Sequence, residues 1–422
     1  MNHVNQIFNL MKLPEYVPLF KGKRVAIAGV GAVGSYLAEI FAMMGVGEIW
    51  VFDFDRFEND NFAKCSGMID PKRDTGRPKA QAVAERTQER MIAGGKCFGI
   101  HADLRCYGPM AFAGFDAVFI ALDNYAAKEL VNQNILQIPQ VQRPVVGMAG
   151  TSGESAVAVL MDGGEFCLRC LFDESWLENS DIRTSCAGPQ YMQIEGVDEI
   201  VRTSGLASLI AAALLAEKFR AWTLGTPYVM NTRTSYTPYP NLELLDTAPM
   251  RKRGCPDCRS FRAPEMIWPL MGSVLNLTLE EALRQITSLL GREDYELQVH
   301  LMRFKELSYG GYIVNEFCHH CGKPVSVYAH ESRVHFEDIL CEECMKADRF
   351  AFYNAERPVE EVMRYFAPDV KDEKLLGSSL YDLGYPIGTY LYVTCPDDAG
   401  GERRYCFSCM GDQEAMQSLE QI

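Results

Sequence analysis

The sequence contains no apolar stretch long enough to cross a bilayer. Its longest, Leu206 to Leu215, falls well short of the roughly 20 residues that a spanning helix needs. The N-terminus lacks the basic, apolar and small-residue order of a signal peptide. An excess of positive charge is also missing. The net charge of −15 argues against general binding to nucleic acid or to an anionic membrane, and makes a basic partner surface easier to attract. These absences predict a soluble, cytoplasmic protein that uses neither membrane nor nucleic acid. Unpaired cysteines are scarce too. Of the fifteen cysteines, only Cys65, Cys97, Cys106, Cys186 and Cys395 stand outside C-x-x-C pairs.

The paired ones are Cys167/Cys170, Cys255/Cys258, Cys318/Cys321, Cys341/Cys344 and Cys406/Cys409. In a reducing compartment such pairs read as zinc ligands more readily than as disulfides, because two thiolates on one tight turn can share a tetrahedral metal. The unpaired ones read as ordinary interior thiols, Cys186 excepted. With 422 residues the chain has room for two or three domains with cores of their own.

Lys23 to Asp55 organises the rest. The β-type run Val25-Ala26-Ile27-Ala28 enters a turn with Gly29, Gly31 and Gly34. A helix follows, apolar at Tyr36, Leu37, Ile40, Phe41 and Met44, and then a strand, Glu48 to Phe52, that ends in Asp53 and Asp55. This βαβ pattern predicts nucleotide binding: the glycines admit a phosphate to the backbone, the helix N-terminus supplies unpaired N–H groups, and either aspartate can accept from a ribose. A purely structural glycine turn is the bland alternative, and the glycines do not separate a dinucleotide from ATP. Strands and helices alternate on to Met148, which predicts an α/β fold with a doubly wound, mostly parallel, Rossmann-like sheet. Asp123 follows a strand and suits Mg²⁺. Lys79 starts a helix within reach of a phosphate, and Asn61 and Lys64 lie in the loop past Asp55. Singly, each reads as a solvated surface residue; together they favour ATP·Mg²⁺ over a hydride-carrying dinucleotide.

These motifs give the chain a resemblance to the MoeB/ThiF/E1-like adenylyltransferases, which activate the C-terminal glycine of ubiquitin-fold proteins. The motif G-x-G-x-x-G-S is present from Gly29 to Ser35. D-x-D is Asp53-Phe54-Asp55, N-x-x-R is Asn61 to Lys64, G-x-x-K is Gly76 to Lys79, and D-N is Asp123-Asn124. The resemblance implies that Asp55 binds ribose, that Asn61, Lys64 and Lys79 bind the phosphates, and that Asp123 serves Mg²⁺ and the reacting centre. It also implies a homodimer. Two departures stand out: Lys64 replaces an arginine, keeping the charge but not the planar fork, and residues 1–22 hold no recognisable N-terminal arginine motif.

Cys167/Cys170 and Cys255/Cys258 match the family's split zinc site, where a structural metal contributes on the order of 10 kcal/mol to folding; a redox C-x-x-C is the alternative. Between them, Cys186 sits in the small-residue context Thr184-Ser185-Cys186-Ala187-Gly188, where the family carries its reactive cysteine. Nearby Arg183 favours the thiolate, and a buried accessory thiol is the alternative. Residues 1–263 are thus expected to form the adenylation domain and residues 264–422 a smaller α+β domain. Two pieces of the latter resemble the ubiquitin-fold domain with which E1 enzymes recruit an E2: Leu277–Leu290, a helix with a Thr278 cap and Glu281 at capping-box spacing, and Leu380–Val393, a short turn and then a final strand; an anonymous α+β domain is the alternative. Cys318/Cys321 and Cys341/Cys344 have zinc-ribbon spacing and predict an insertion near 316–346, hence two zinc ions in all. Cys406/Cys409 either complete a site with Cys395, join the ribbon, or hold no metal.

The expected function is an E1-like enzyme. It adenylates the C-terminus of a ubiquitin-like protein with ATP, takes the acyl group on Cys186 and passes it to an E2. The alternatives are a sulphur-carrier adenylyltransferase, an NAD-dependent oxidoreductase, and a catalytically silent zinc scaffold that docks a ubiquitin-like protein.

Overall fold

The computed structural model describes residues 17–418 except 60, 93, 124, 164–166, 172–202, 227–229, 249–251, 253–254, 256, 259–260, 305–307, 310–311, 318–323, 331–342, 344–357, 368–369, 372, 384 and 398–399. It divides into two compact units. The first holds residues up to Leu104 and Phe112–Ala263; the second holds Arg105–Ala111 and Pro264–Leu419. Among the described residues no helix is long and apolar enough to cross a membrane.

The first unit is built on an eight-stranded sheet in the order β3-β2-β1-β4-β5-β6-β7-β8. β1 (Arg24–Ala28), β2 (Glu48–Phe52), β3 (Lys96–Ile100), β4 (Ala117–Ile120) and β5 (Val145–Ser152) are mutually parallel. Helices α1 (Ala32–Met44), α2 (Lys79–Arg90) and α3 (Tyr125–Leu136) lie between them in sequence. The alternating strand pattern sends Val25, Ile27, Ile49, Val51 and Phe119 to one face, where they pack with Leu37 and Phe41 of α1 and with Leu215 and Phe219 of α4 (Gly205–Thr223). The rings of Phe41, Phe119 and Phe219 close this layer, with centroids 4.7–5.4 Å apart. Trp50 and Phe52 point to the other face, against Phe98, Phe115 and Phe112. Both faces are therefore covered, as a mostly parallel sheet requires.

The sheet then changes direction. The turn Gly153-Glu154, with Gly153 at φ 58°, joins β5 directly to β6 (Ser155–Met161), and a connection this short permits only antiparallel pairing. β7 (Thr232–Thr237) and β8 (Glu243–Thr247) continue antiparallel. All five residues of the edge strand β8 are exposed.

The second unit has a five-stranded sheet, β14-β10-β15-β16-β9, formed by β9 (Trp268–Leu270), β10 (Glu296–Phe304), β14 (Pro358–Phe366), β15 (Tyr390–Pro396) and β16 (Glu402–Cys409). Helix α5 (Leu279–Leu290) starts at the capping box that the sequence indicates, Thr278 with Glu281, and buries Leu279, Ala282 and Ile286. A separate small sheet of β11 (Ser308–Tyr309), β12 (Tyr312–Phe317) and β13 (Pro324–His330) lies between β10 and β14 in sequence. Cys318, Cys321, Cys341 and Cys344 of the expected ribbon lie outside the described residues. One reading is corrected: β15 is not the last strand. β16 pairs with it along its whole length, even though its exposed Glu402-Arg403-Arg404 start hides the apolar pattern.

The segment Arg105–Ala111 belongs to the second unit through backbone pairing. Ile387 N donates to Cys106 O at 2.8 Å, Gly108 N to Ile387 O at 2.8 Å and Met110 N to Gly388 O at 2.7 Å. Asp412, first residue of α6 (Asp412–Ser418), is 2% exposed. Its Oδ1 accepts from Ser273 Oγ and Val274 N, and its Oδ2 from Gly388 N, at 2.7–2.8 Å. We expect Asp412→Ala to strand these donors and lower unfolding stability by about 3 kcal/mol, with Asp412→Asn recovering part of the loss. A loss below about 1 kcal/mol in chemical denaturation would show that water replaces the carboxylate.

Candidate functional site

The C-terminal ends of β1, β2 and β4 bring the expected nucleotide residues together. Gly29 takes φ 85°, and an added methyl there would meet the Ala121 carbonyl at 2.9 Å. A methyl at Gly34 would stand 1.9 Å from the Gly29 carbonyl oxygen. A methyl at Gly31, by contrast, would meet nothing within 4 Å, so the space over this residue is open. Gly31 is the N-cap of α1 and offers no side chain to the helix, which leaves the first-turn N–H groups to a ligand.

The two aspartates have different duties. Asp53 accepts from Val30 N through Oδ2 at 2.8 Å and from Asp55 N through Oδ1 at 2.9 Å; it holds the glycine turn against the end of β2. Burial pushes its carboxyl above the ordinary aspartate range, with Lys79 opposing. Asp55 is half-exposed and accepts from Lys79 Nζ at 3.0 Å, while Lys79 N donates to Asp55 O at 2.7 Å. The Lys79 side chain is 12% exposed. Burial alone would lower its pKa, but the charges of Asp53 and Asp55, with Asp123 adding to them, hold it above the normal lysine value. A lysine is therefore fixed, charged and nearly enclosed between the two aspartates that follow β2.

Asn61 Oδ1 accepts from Glu58 N at 3.0 Å, and Lys64 N donates to Asn61 O at 3.0 Å. The loop is thus a tight turn, with Lys64 half-buried. Cys65, next to it, is a buried thiol pushed up to about 11 by burial, Lys79 opposing. Asp123 is exposed just past β4. Asn124 and Cys186 lie outside the described residues.

The four cysteines of the split pair do converge. The Cys167 sulfur lies 3.7 Å from Cys170, 3.6 Å from Cys255 and 3.2 Å from Cys258, and the Cys170 sulfur is 3.8 Å from that of Cys258. Disulfide sulfurs would be about 2 Å apart, whereas a tetrahedral site with Zn–S near 2.3 Å spaces its sulfurs by about 3.8 Å. The donor set and spacing are compatible with zinc. Among the described residues this is the one group of three or more potential ligands. Cys395, Cys406 and Cys409 are buried and join no such group; three positions apart on one strand, Cys406 and Cys409 face opposite ways.

Comparison with known proteins adds the family: the ThiF family matches residues 5–309. The chain belongs to the ThiF family. Relatives of this ThiF-family chain include the SAMP-activating enzyme E1 of Haloferax volcanii, 28% identical over 38% of this chain and 58% of that protein. Others are the adenylyltransferase and sulfurtransferase MOCS3 of Danio rerio, 28% identical over 35% and 31%, and the ATP-dependent ubiquitin transferase-like protein Cap2 of Escherichia coli, 26% identical over 35% and 26%. The matches thus span less than two thirds of each relative. Among solved structures, Escherichia coli MccB with ATP is similar at a TM-score of 0.45 and 20% identity, over 57% of this chain and 68% of that one.

The ThiF-family chain also contains functional-site neighbours that the sequence reading passed over: Glu129, Asn132, Arg169 and Asp257, all around the cysteine cluster. Their one sequence signal was an acid and a base set inside the turns Cys255-Pro-Asp-Cys258 and Cys167-Leu-Arg-Cys170. We expect Cys255→Ser to lower bound zinc, measured by plasma mass spectrometry, by about one equivalent per chain. An unchanged zinc content would remove the cluster as a metal site.

Proposed function

We propose that this chain is an E1-like activating enzyme that uses ATP·Mg²⁺ to adenylate the C-terminal carboxylate of a ubiquitin-like protein. The observation that carries the reading is Lys79, paired with Asp55 at 3.0 Å and held charged by Asp53 and Asp55, of which Asp53 also grips the glycine turn through Val30 N. Such a cation suits the phosphates of ATP. A hydride-carrying dinucleotide would leave Asp123, exposed just past β4, without a task.

In the proposed reaction a carboxylate oxygen attacks the α-phosphorus, the bond to the β-phosphate oxygen breaks, and acyl adenylate and pyrophosphate form. The first-turn N–H groups of α1, Lys79 and Lys64 stabilise the charge that builds on the phosphates. Asp55 and Asn61 orient the nucleotide, and Asp123 holds Mg²⁺, which when bound neutralises phosphate charge. The Cys186 thiolate then attacks the acyl carbon, AMP departs and a thioester remains. In this reading the second unit recruits an E2 and the chain works as a homodimer. One zinc stabilises the 167/170/255/258 cluster, and a second is bound by Cys318, Cys321, Cys341 and Cys344. Relatives named as sulfurtransferases support a sulphur-carrier substrate as the second reading, although that reaction gives the five-stranded unit no role.

The test is ATP–pyrophosphate exchange and thioester formation with a ubiquitin-like carrier. Lys79→Ala is expected to lower exchange by about 100-fold. Cys186→Ala is expected to keep exchange and lose the thiol-sensitive adduct. Exchange with carrier but no adduct in the unmodified protein would favour the sulphur-carrier reading. No exchange with any ubiquitin-like carrier would overturn both.

A further inference from the structure

The four cysteines are held by more than their own turns. Asn132 of α3 is 3% exposed. Its Oδ1 accepts from Leu168 N at 3.0 Å, inside the first cysteine turn, and its Nδ2 donates to Asp257 Oδ2 at 3.1 Å, inside the second. One amide therefore grips both halves of a cluster whose halves are far apart in sequence. Arg169, also inside the first turn, reaches Glu129 at 2.5 Å and Asp257 at 3.5 Å. Glu129 and Asn132 lie three positions apart on α3 and so share a face. Asp257 is 1% exposed, so the Asn132–Asp257 bond is interior and replaceable by water only at a cost, while Arg169 and Glu129 are partly exposed. At its other end, α3 begins at Tyr125, directly after the Asp123-Asn124 pair.

We propose that Asn132 and Asp257 are positioning residues that couple the four-cysteine cluster to Asp123 through α3. With the sulfurs drawn together, Leu168 and Asp257 stand where one side chain can hold both, and the helix is pinned along its middle. With the cluster open the two turns separate, Asn132 can satisfy one of them at most, and the start of α3 loses its register against the end of β4. Partners of this kind, one step out from metal ligands, commonly change affinity or activity by about 10–100-fold when removed. The catalytic consequence rests on the adenylation reading; the mechanical coupling does not.

Hydrogen exchange of the full chain tests the coupling directly. We expect Zn²⁺ removal by a chelator to speed exchange of the α3 amides by about tenfold, with Zn²⁺ restoring protection and α1 unchanged throughout. Asn132→Ala should retain its zinc yet show the same loosening of α3. Asp257→Asn, which keeps an oxygen for the Asn132 amide, should fall between. In ATP–pyrophosphate exchange Asn132→Ala should lower kcat by about tenfold with KM for ATP within about twofold, because Lys79 and the glycine turn are left in place. Equal α3 protection with and without metal would overturn the coupling. So would loss of zinc and of α1 protection together in Asn132→Ala, which marks a general stability role. Loosening of α3 in a chain that adenylates no carrier would uphold the coupling and reject the adenylation reading.

Discussion

The approach of Gly34 to the carbonyl of Gly29 is the contact on which the strand-end geometry depends. With no room for even a methyl between them, α1 starts so close to β1 that its first turn aims at the space above Gly31. Asp53 then fixes the turn from outside by accepting from Val30 N. That duty leaves Asp55 as the acid at the open edge, and Asp55 in turn collects Lys79 from a different helix. Packing thus sets the backbone, the backbone sets which carboxylate is free, and the free carboxylate sets where the cation stands.

Much of this was legible in the sequence. The period-2 strand, the glycine spacing and the 3.6-residue stripe of α1 agree with one another, which is why the βαβ unit could be read with its ends nearly right. The Thr278–Glu281 capping box was equally plain. Strand and spacing alone did not tell Asp53 from Asp55, because both follow the same strand and only the direction of the backbone N–H groups separates them; the family resemblance was what singled out Asp55. The antiparallel end of the sheet, three strands of the eight, was not read. β6 is apolar and mostly buried, but β7 and β8 carry Thr, Ser and charged residues, and β8 has no buried face to leave an alternating pattern. Asp257 was invisible for a different reason: an acid inside a cysteine turn reads as surface until Asn132, more than a hundred positions earlier, is placed beside it.

The two units solve one problem with different chemistry. Each must pin loops that carry little regular structure. The first gathers four thiols from two distant turns and backs them with an arginine and two acids. The second uses a single carboxylate, Asp412, to hold the loop after β9 and the turn at Gly388. A thiol cluster of this type depends on its metal, whereas a buried carboxylate depends only on keeping its three donors.

The loan of Arg105–Ala111 to the second unit has a consequence for how the chain can be divided. Those residues lie between β3 and β4 of the first unit, yet their backbone groups are spent on Ile387 and Gly388. A single cut after Ala263 therefore yields no two self-sufficient pieces. The N-terminal piece would carry Arg105–Ala111 without Ile387 and Gly388, and the C-terminal piece would keep those two residues without the backbone groups that pair with them. During synthesis Arg105–Ala111 leaves the ribosome hundreds of residues before Ile387 and Gly388, and must wait for them.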